Sequence, residues 1–108
     1  MKSLKFNGDI TLEEVFNEHK ALIYDSVVHS IKENLSSSNS DDVPIIGITI
    51  NQVEYSINLG RDKFDRSLAQ AISFYEELEE YEKCQMCLTL KQELKKNKEK
   101  AANGIWRN

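Results

Sequence analysis

Val43-Pro44-Ile45-Ile46-Gly47-Ile48-Thr49-Ile50-Asn51-Gln52-Val53-Glu54-Tyr55-Ser56-Ile57 is the stretch that sets the architecture. Folding it at Asn51-Gln52 pairs Ile50 with Val53, Ile48 with Tyr55 and Ile46 with Ile57, all on one face. Thr49 with Glu54 and Gly47 with Ser56 then fall on the other. A register that sorts every apolar residue to one side is strongly selected, because a slip of one residue inverts the whole set. The pattern therefore predicts an antiparallel β-hairpin. Gln52 departs from the favoured Asn-Gly turn, so this two-residue turn could also be slightly wider. Pro44 suits the start of an edge strand and not its middle. A lone hairpin is not stable in water, so its apolar face must meet helices or another chain.

Before the hairpin, Thr11-Leu12-Glu13-Glu14 is a capping box, with Ile10 and Val15 placed as its hydrophobic staple. A helical stripe follows through Leu12, Val15, Phe16, His19, Leu22, Ile23, Ser26, Val27 and Ile31, which predicts one helix fading near Leu35. Ser36-Ser37-Ser38-Asn39-Ser40-Asp41-Asp42 offers only loop-forming side chains, so 36–42 is read as an internal loop. Ser3–Phe6 could form a short strand ending at the turn signal Asn7-Gly8.

After the hairpin, Gly60 ends the strand, and Asp62 with Asp65 supplies an N-cap and an acid in the first helical turn. Phe64, Leu68, Ala71, Ile72, Tyr75 and Leu78 make an apolar face, continued by Tyr81, Cys84, Cys87, Leu88 and Leu94, with Met86 and Leu90 widening it. No Gly or Pro interrupts residues 61–103, which permits one helix of about 40 residues. So small a body can bury such a helix only if it folds back or pairs with another chain. A turn near Leu78–Glu80 is therefore expected, with Asn103-Gly104 ending the last helix.

Leu78-Glu79-Glu80-Tyr81-Glu82-Lys83-Cys84 resembles the inter-helix segment of a tetratricopeptide unit, and residues 62–97 also resemble the UVR-type hairpin of excision-repair subunits. The resemblance gives Tyr81 and Cys84 the roles of the aromatic and small residues that lock the second helix on the first. Glu79 stands where the tetratricopeptide turn has glycine, and Leu88 and Thr89 stand where the UVR pattern has Arg-Asp. No second copy is visible, which excludes a repeat array. Both families use such hairpins to bind other proteins, which implies a binding role here.

The chain has 108 residues and a net charge of −4, which fits a single domain over 1–108. Residues 91–108 carry six basic against two acidic groups, and the remainder eight against sixteen, so a +4 tail follows a −8 body. A nucleic-acid contact through Lys95, Lys96, Lys98 and Lys100 is one reading of the basic stretch 98–108 and the lysines before it. Acidic residues early and basic residues late in a helix also complement its dipole, and that is the reading preferred. The longest apolar run, Val43–Ile50, is broken by Pro44, Gly47 and Thr49, so no membrane span is expected. No apolar segment follows Met1–Lys5, so no secretory leader is expected. Two cysteines three apart make no disulfide framework, which points to a reducing cytoplasm.

Cys84-Gln85-Met86-Cys87 has metal-knuckle spacing, with His19 and His29 as the only histidines to complete a set. Both cysteines fall in an apolar helical stripe, however, and are read as core thiols with no metal or cofactor. No nucleophile–base pair or phosphate loop is recognisable, so no catalytic residue is assigned and the chain is read as a non-enzyme. Arg61, Lys63 and Arg66 at a helix start are candidates for holding an anionic small ligand such as a nucleotide. Tyr81, Cys84, Met86, Leu88, Leu90 and Leu94 are the candidate interaction residues. The expected whole is α+β: an N-terminal helix, a small antiparallel hairpin sheet and a C-terminal helical hairpin, or one long helix in its place, with the helical parts on one face. Its expected role is a small regulatory or adaptor protein that binds a protein partner, its own copies included, as a homodimer or higher. A ligand-sequestering protein using residues 60–66 is the alternative.

Overall fold

The structure, a computed structural model, describes residues 2–35 and 42–106, with Lys2 and 98–106 described by their backbone alone. The elements run β1 (Lys2–Phe6), α1 (Leu12–Glu18), α2 (Lys20–Glu33), β2 (Val43–Ile50), β3 (Val53–Leu59), α3 (Phe64–Glu77) and α4 (Tyr81–Trp106). A single 3-10 turn, Arg61–Lys63, leads into α3. The fold is α+β.

The hairpin forms in the register that its apolar pattern demands. Ile50 pairs with Val53, Ile48 with Tyr55 and Ile46 with Ile57, with Thr49–Glu54 and Gly47–Ser56 between them. The turn keeps the two-residue form on which this register is built, without widening at Gln52. Asn51 and Gln52 make a two-residue turn with φ of 49° and 70°, the signs that a type I′ turn needs. Asn51 is also held from outside the hairpin. Its Oδ1 accepts from the Gly8 N–H and its Nδ2 donates to the Gly8 carbonyl, both at 2.8 Å.

The sheet is not a lone hairpin. Ser3–Phe6 does extend, as part of β1, and pairs parallel to β2, giving the order β1-β2-β3. Parallel neighbours need a crossover, and α1 with α2 supply it. The sheet is therefore three-stranded and mixed, not a purely antiparallel hairpin, and a strand and two helices precede the hairpin where one helix was expected. This corrects the expected layout. The pairing was hidden because five residues flanked by polar ones carry no mark of their partner.

Pro44 sits in the central strand, yet β1 overlaps β2 only from Ile46 onward. Pro44 therefore lies beyond β1, at a bulge between Pro44 and Ile46. There its missing N–H costs no ladder bond toward β1. The extra residue lets Ile45 join Ile46 in the core, with Val43, Ile48 and Ile50 also buried. The opposite face, with Ser3, Lys5, Glu54 and Ser56, is exposed.

The first helix divides at His19, where φ of −121° and ψ of 33° leave the helical region. A straight helix over 12–33 would span about 33 Å, longer than the ~26 Å of an eight-residue strand. The break lets α1 bury Val15 beside the sheet while α2 packs along β2. It also shifts the phase of the stripe, so that Val28 is buried and Val27 only partly so. Thr11 caps α1 as expected, its Oγ accepting from the Glu14 N–H at 3.1 Å.

Asp62 does not cap α3. The chain enters through the 3-10 turn, and α3 begins at Phe64 with no side-chain cap. The turn between α3 and α4 falls at 78–80 as expected. The Glu80 N–H donates to the Tyr75 carbonyl at 2.9 Å and that of Glu79 to Glu76 at 3.0 Å, the paired bonds of a Schellman motif. Glu79 holds φ of 57°, a left-handed conformation that favours glycine. Glu79→Gly and Gln52→Gly are each expected to raise stability by about 0.5–1 kcal/mol, read as a higher urea midpoint at unchanged m-value. Asn103-Gly104 does not end α4, which continues to Trp106. The loop 36–41 and the side chains of the basic stretch 98–108 lie outside the described residues. Among the described residues no helix is long and apolar enough to cross a membrane.

Candidate functional site

The α3–α4 hairpin carries most of the residues singled out from the sequence. On α3, Phe64, Leu68, Ala71 and Tyr75 recur at helical spacing and are buried. On α4, Cys84, Cys87 and Leu90 complete that inner face, with Leu94 packed partly against it. Cys84 and Leu90 therefore belong to the core.

The outer side of the hairpin is different. Tyr81, expected to lock the second helix, is 65 % exposed. Tyr81, Gln85 and Leu88 share one face of α4 by their i, i+4, i+7 spacing, and all three are exposed. Leu78, expected in the core, is 50 % exposed in the turn beside Tyr81. The Schellman turn explains both outcomes: reversing the chain over Leu78 and Glu79 carries their neighbours off the inner face. Glu76, Glu77, Glu79 and Glu82, close to Leu78 and Tyr81 in the chain, are exposed as well, whereas Leu88 lines a groove with Asp65, Lys91 and Lys95. Met86 is exposed too but faces a different way. It lines a groove of about 580 Å³ between α2 and α4 with Lys32, Leu35, Leu90 and Asn97.

A polar tie fixes the hairpin to α2. The Tyr75 hydroxyl donates to Asp25 Oδ1 at 2.6 Å, and Lys83 Nζ lies 3.2 Å from the same oxygen and 3.4 Å from Glu80 Oε2. Burial, with the Asp25 bond and charge, pushes the Tyr75 hydroxyl far above the ordinary phenol range. Desolvation works against the Lys83 ammonium, but the bond to Asp25 and the charges of Asp25 and Glu80 outweigh it and raise its pKa. Tyr24 stacks on Phe74 at 4.6 Å beside this tie. Asp25 had no signal in the sequence, because it and its partners lie 50 and 58 residues apart.

Arg61, Lys63 and Arg66 do not converge as free cations. The Arg61 side chain turns inward, its Nη1 donating to the Asn34 carbonyl at 3.0 Å and its guanidinium lying 5.5 Å from the Phe64 ring centre. There it completes the C-terminal end of α2, where unpaired carbonyls favour a cation. Lys63 and Arg66 are exposed. Lys91 and Asp65 pair at 3.1 Å across the two helices. Lys95 and Lys96 are exposed, while Lys98 and Lys100 are outside the described side chains.

The cysteines are buried inside the hairpin. His29 is on the exposed side of α2 beside Glu33, and His19 packs against Phe6 with ring centres 5.3 Å apart. Among the described residues no three His, Cys, Asp or Glu side chains gather as metal ligands. Burial and the neighbouring Cys84 push the Cys87 thiol up to about 11, and burial with the Glu76 charge raises Cys84. A disulfide-exchange reagent at pH 8 is therefore expected to react at least about 100-fold more slowly with the folded protein than with the unfolded chain. A thiol with a raised folded pKa adds stability that is complete below about pH 9 and lost as pH rises through about 11. Cys87→Ala is expected to flatten that alkaline loss, followed by thermal melts from pH 8 upward.

No protein-family model, curated protein or solved structure matches this chain. The functional reading therefore rests on the residues and their arrangement.

Proposed function

We propose that the protein is a non-enzymatic small regulator or adaptor that works by binding protein, its own copies included. The observation that carries this is the set of exposed large apolar side chains on the outer side of the hairpin, Leu78, Tyr81 and Leu88, with glutamates flanking Leu78 and Tyr81 in the chain. Large apolar side chains gathered on one solvent face are the mark of a docking surface. The exposed glutamates next to Leu78 and Tyr81 select the chemistry of the partner: a segment with one or more apolar anchors flanked by Lys or Arg. The resemblance to protein-binding helical hairpins supports the same role. The anion-binding alternative is weakened, because Arg61 is already committed to the end of α2.

The test compares wild type with Tyr81→Glu/Leu88→Glu as bait against cell extract, with bound proteins identified by mass spectrometry. The expected result is a basic partner retained by wild type and reduced at least about tenfold in the variant. Its binding should also weaken as salt rises, since exposed charges are screened. An identical set of bound proteins for both baits at every salt concentration would remove the reading.

A further inference from the structure

The outer edge of β3 is open. β3 pairs only with β2 among the described strands, and Val53, Glu54, Tyr55, Ser56 and Asn58 are all exposed. Natural edge strands are guarded by Lys, Pro, bulges or shortness. The opposite edge, β1, has five residues and carries Lys2 and Lys5. β3 has seven residues, Val-Glu-Tyr-Ser-Ile-Asn-Leu, with no Lys and no Pro. The sheet's one bulge adds its extra residue to β2. The side chains that share the core face with β2 are left half-covered on β3, with Val53 53 % and Tyr55 42 % exposed.

We infer that this edge pairs with a second copy of the same chain, antiparallel about a two-fold axis at Ser56, to make a continuous six-stranded sheet. The inference rests on the self-association half of the proposed function. Three observations select the occupant and the register. A two-residue turn closes on a hydrogen-bonded pair, Ile50–Val53. Alternating from there, the N–H and C=O of Val53, Tyr55 and Ile57 face β2, and those of Glu54, Ser56 and Asn58 face outward. An axis at Ser56 makes all three outward residues hydrogen-bonded positions at once: Ser56 opposite the partner's Ser56, and each Glu54 opposite the partner's Asn58.

The same axis sets Tyr55 against the partner's Ile57 and Val53 against the partner's Leu59. The half-covered apolar strip of each copy is thus met by apolar side chains of the other. Charge agrees. Glu54 is the only charged residue in β3, and this register places it against an amide. An axis at Glu54 would oppose two carboxylates and shorten the overlap. Axes at Tyr55 or Ile57 also shorten the overlap.

The test is sedimentation equilibrium of the full chain from about 2 to about 200 μM, with amide hydrogen exchange at both ends of that range. The expected result is a monomer–dimer equilibrium in which the Glu54, Ser56 and Asn58 amides gain protection with concentration. The Val53, Tyr55 and Ile57 amides should be protected throughout. Ser56→Lys sets two ammonium groups opposite each other, and Ser56→Pro removes an outward N–H that β2 does not use. Each is expected to raise the dimer dissociation constant at least about tenfold, with the monomer fold checked by circular dichroism. A wild-type monomer across the whole range overturns both the inference and the self-association reading. A dimer that survives in the folded variants, or whose formation leaves the outward amides unprotected, overturns the β3 placement alone. If neither variant folds, the exchange pattern of the wild type decides.

Discussion

Ile48→Ala is expected to lower the unfolding free energy by about 3–4 kcal/mol, while Tyr55→Ala, its direct cross-strand partner, costs about 1 kcal/mol or less. The two residues face the same way in the same register. Ile48 is fully buried under the helices, whereas Tyr55 is 42 % exposed on the strand beyond them. Truncating a buried isoleucine loses its transfer free energy and leaves a cavity that its neighbours fill only in part. Truncating a half-exposed side chain loses one cross-strand contact and leaves no enclosed void. For a chain of this size the first change lowers Tm by roughly 15–25 °C, and the second by a few degrees at about 5 μM, where association through β3 contributes least. Urea titrations of both variants under those conditions check it. Equal losses would mean that the helical layer extends over β3 as well.

The second large effect concerns Tyr75, whose ring is buried and whose hydroxyl meets Asp25. Tyr75→Ala is expected to cost about 4 kcal/mol, as removing a large buried aromatic opens a cavity where α2, α3 and α4 meet. Tyr75→Phe is expected to cost only about 1 kcal/mol. Asp25 keeps its ion pair with Lys83 when the hydroxyl is gone, and its carboxylate remains 41 % exposed to water. The comparison separates packing from the polar tie. A Tyr75→Phe loss as large as that of Tyr75→Ala would show that the hydroxyl bond, not the ring, holds the helices together. Chemical denaturation at pH 7 measures both.

Some of the candidate surface is legible in the sequence. The position of the α3–α4 turn followed from the length of an uninterrupted helical pattern that a small body cannot cover. The apolar and acidic residues near that turn were equally visible. Which of them face water was not. Cys84 and Leu90 share a stripe with Tyr81 and Leu88 on a loose helical reading, and only the way α4 lies on α3 separates inner from outer. Arg61 read as a free cation at a helix start, because its partner, the end of α2 at Asn34, is 27 residues away.

The hairpin register, the Thr11 cap of α1 and the helical character of the C-terminal part were determined by the sequence alone. Each rests on contacts between residues near in the chain, where period and turn chemistry act directly. The parallel pairing of β1, the break at His19, the Asp25–Tyr75–Lys83 tie and the half-covered face of β3 were decided only by the tertiary structure. Those depend on which distant surfaces meet, and local patterning carries no record of that choice.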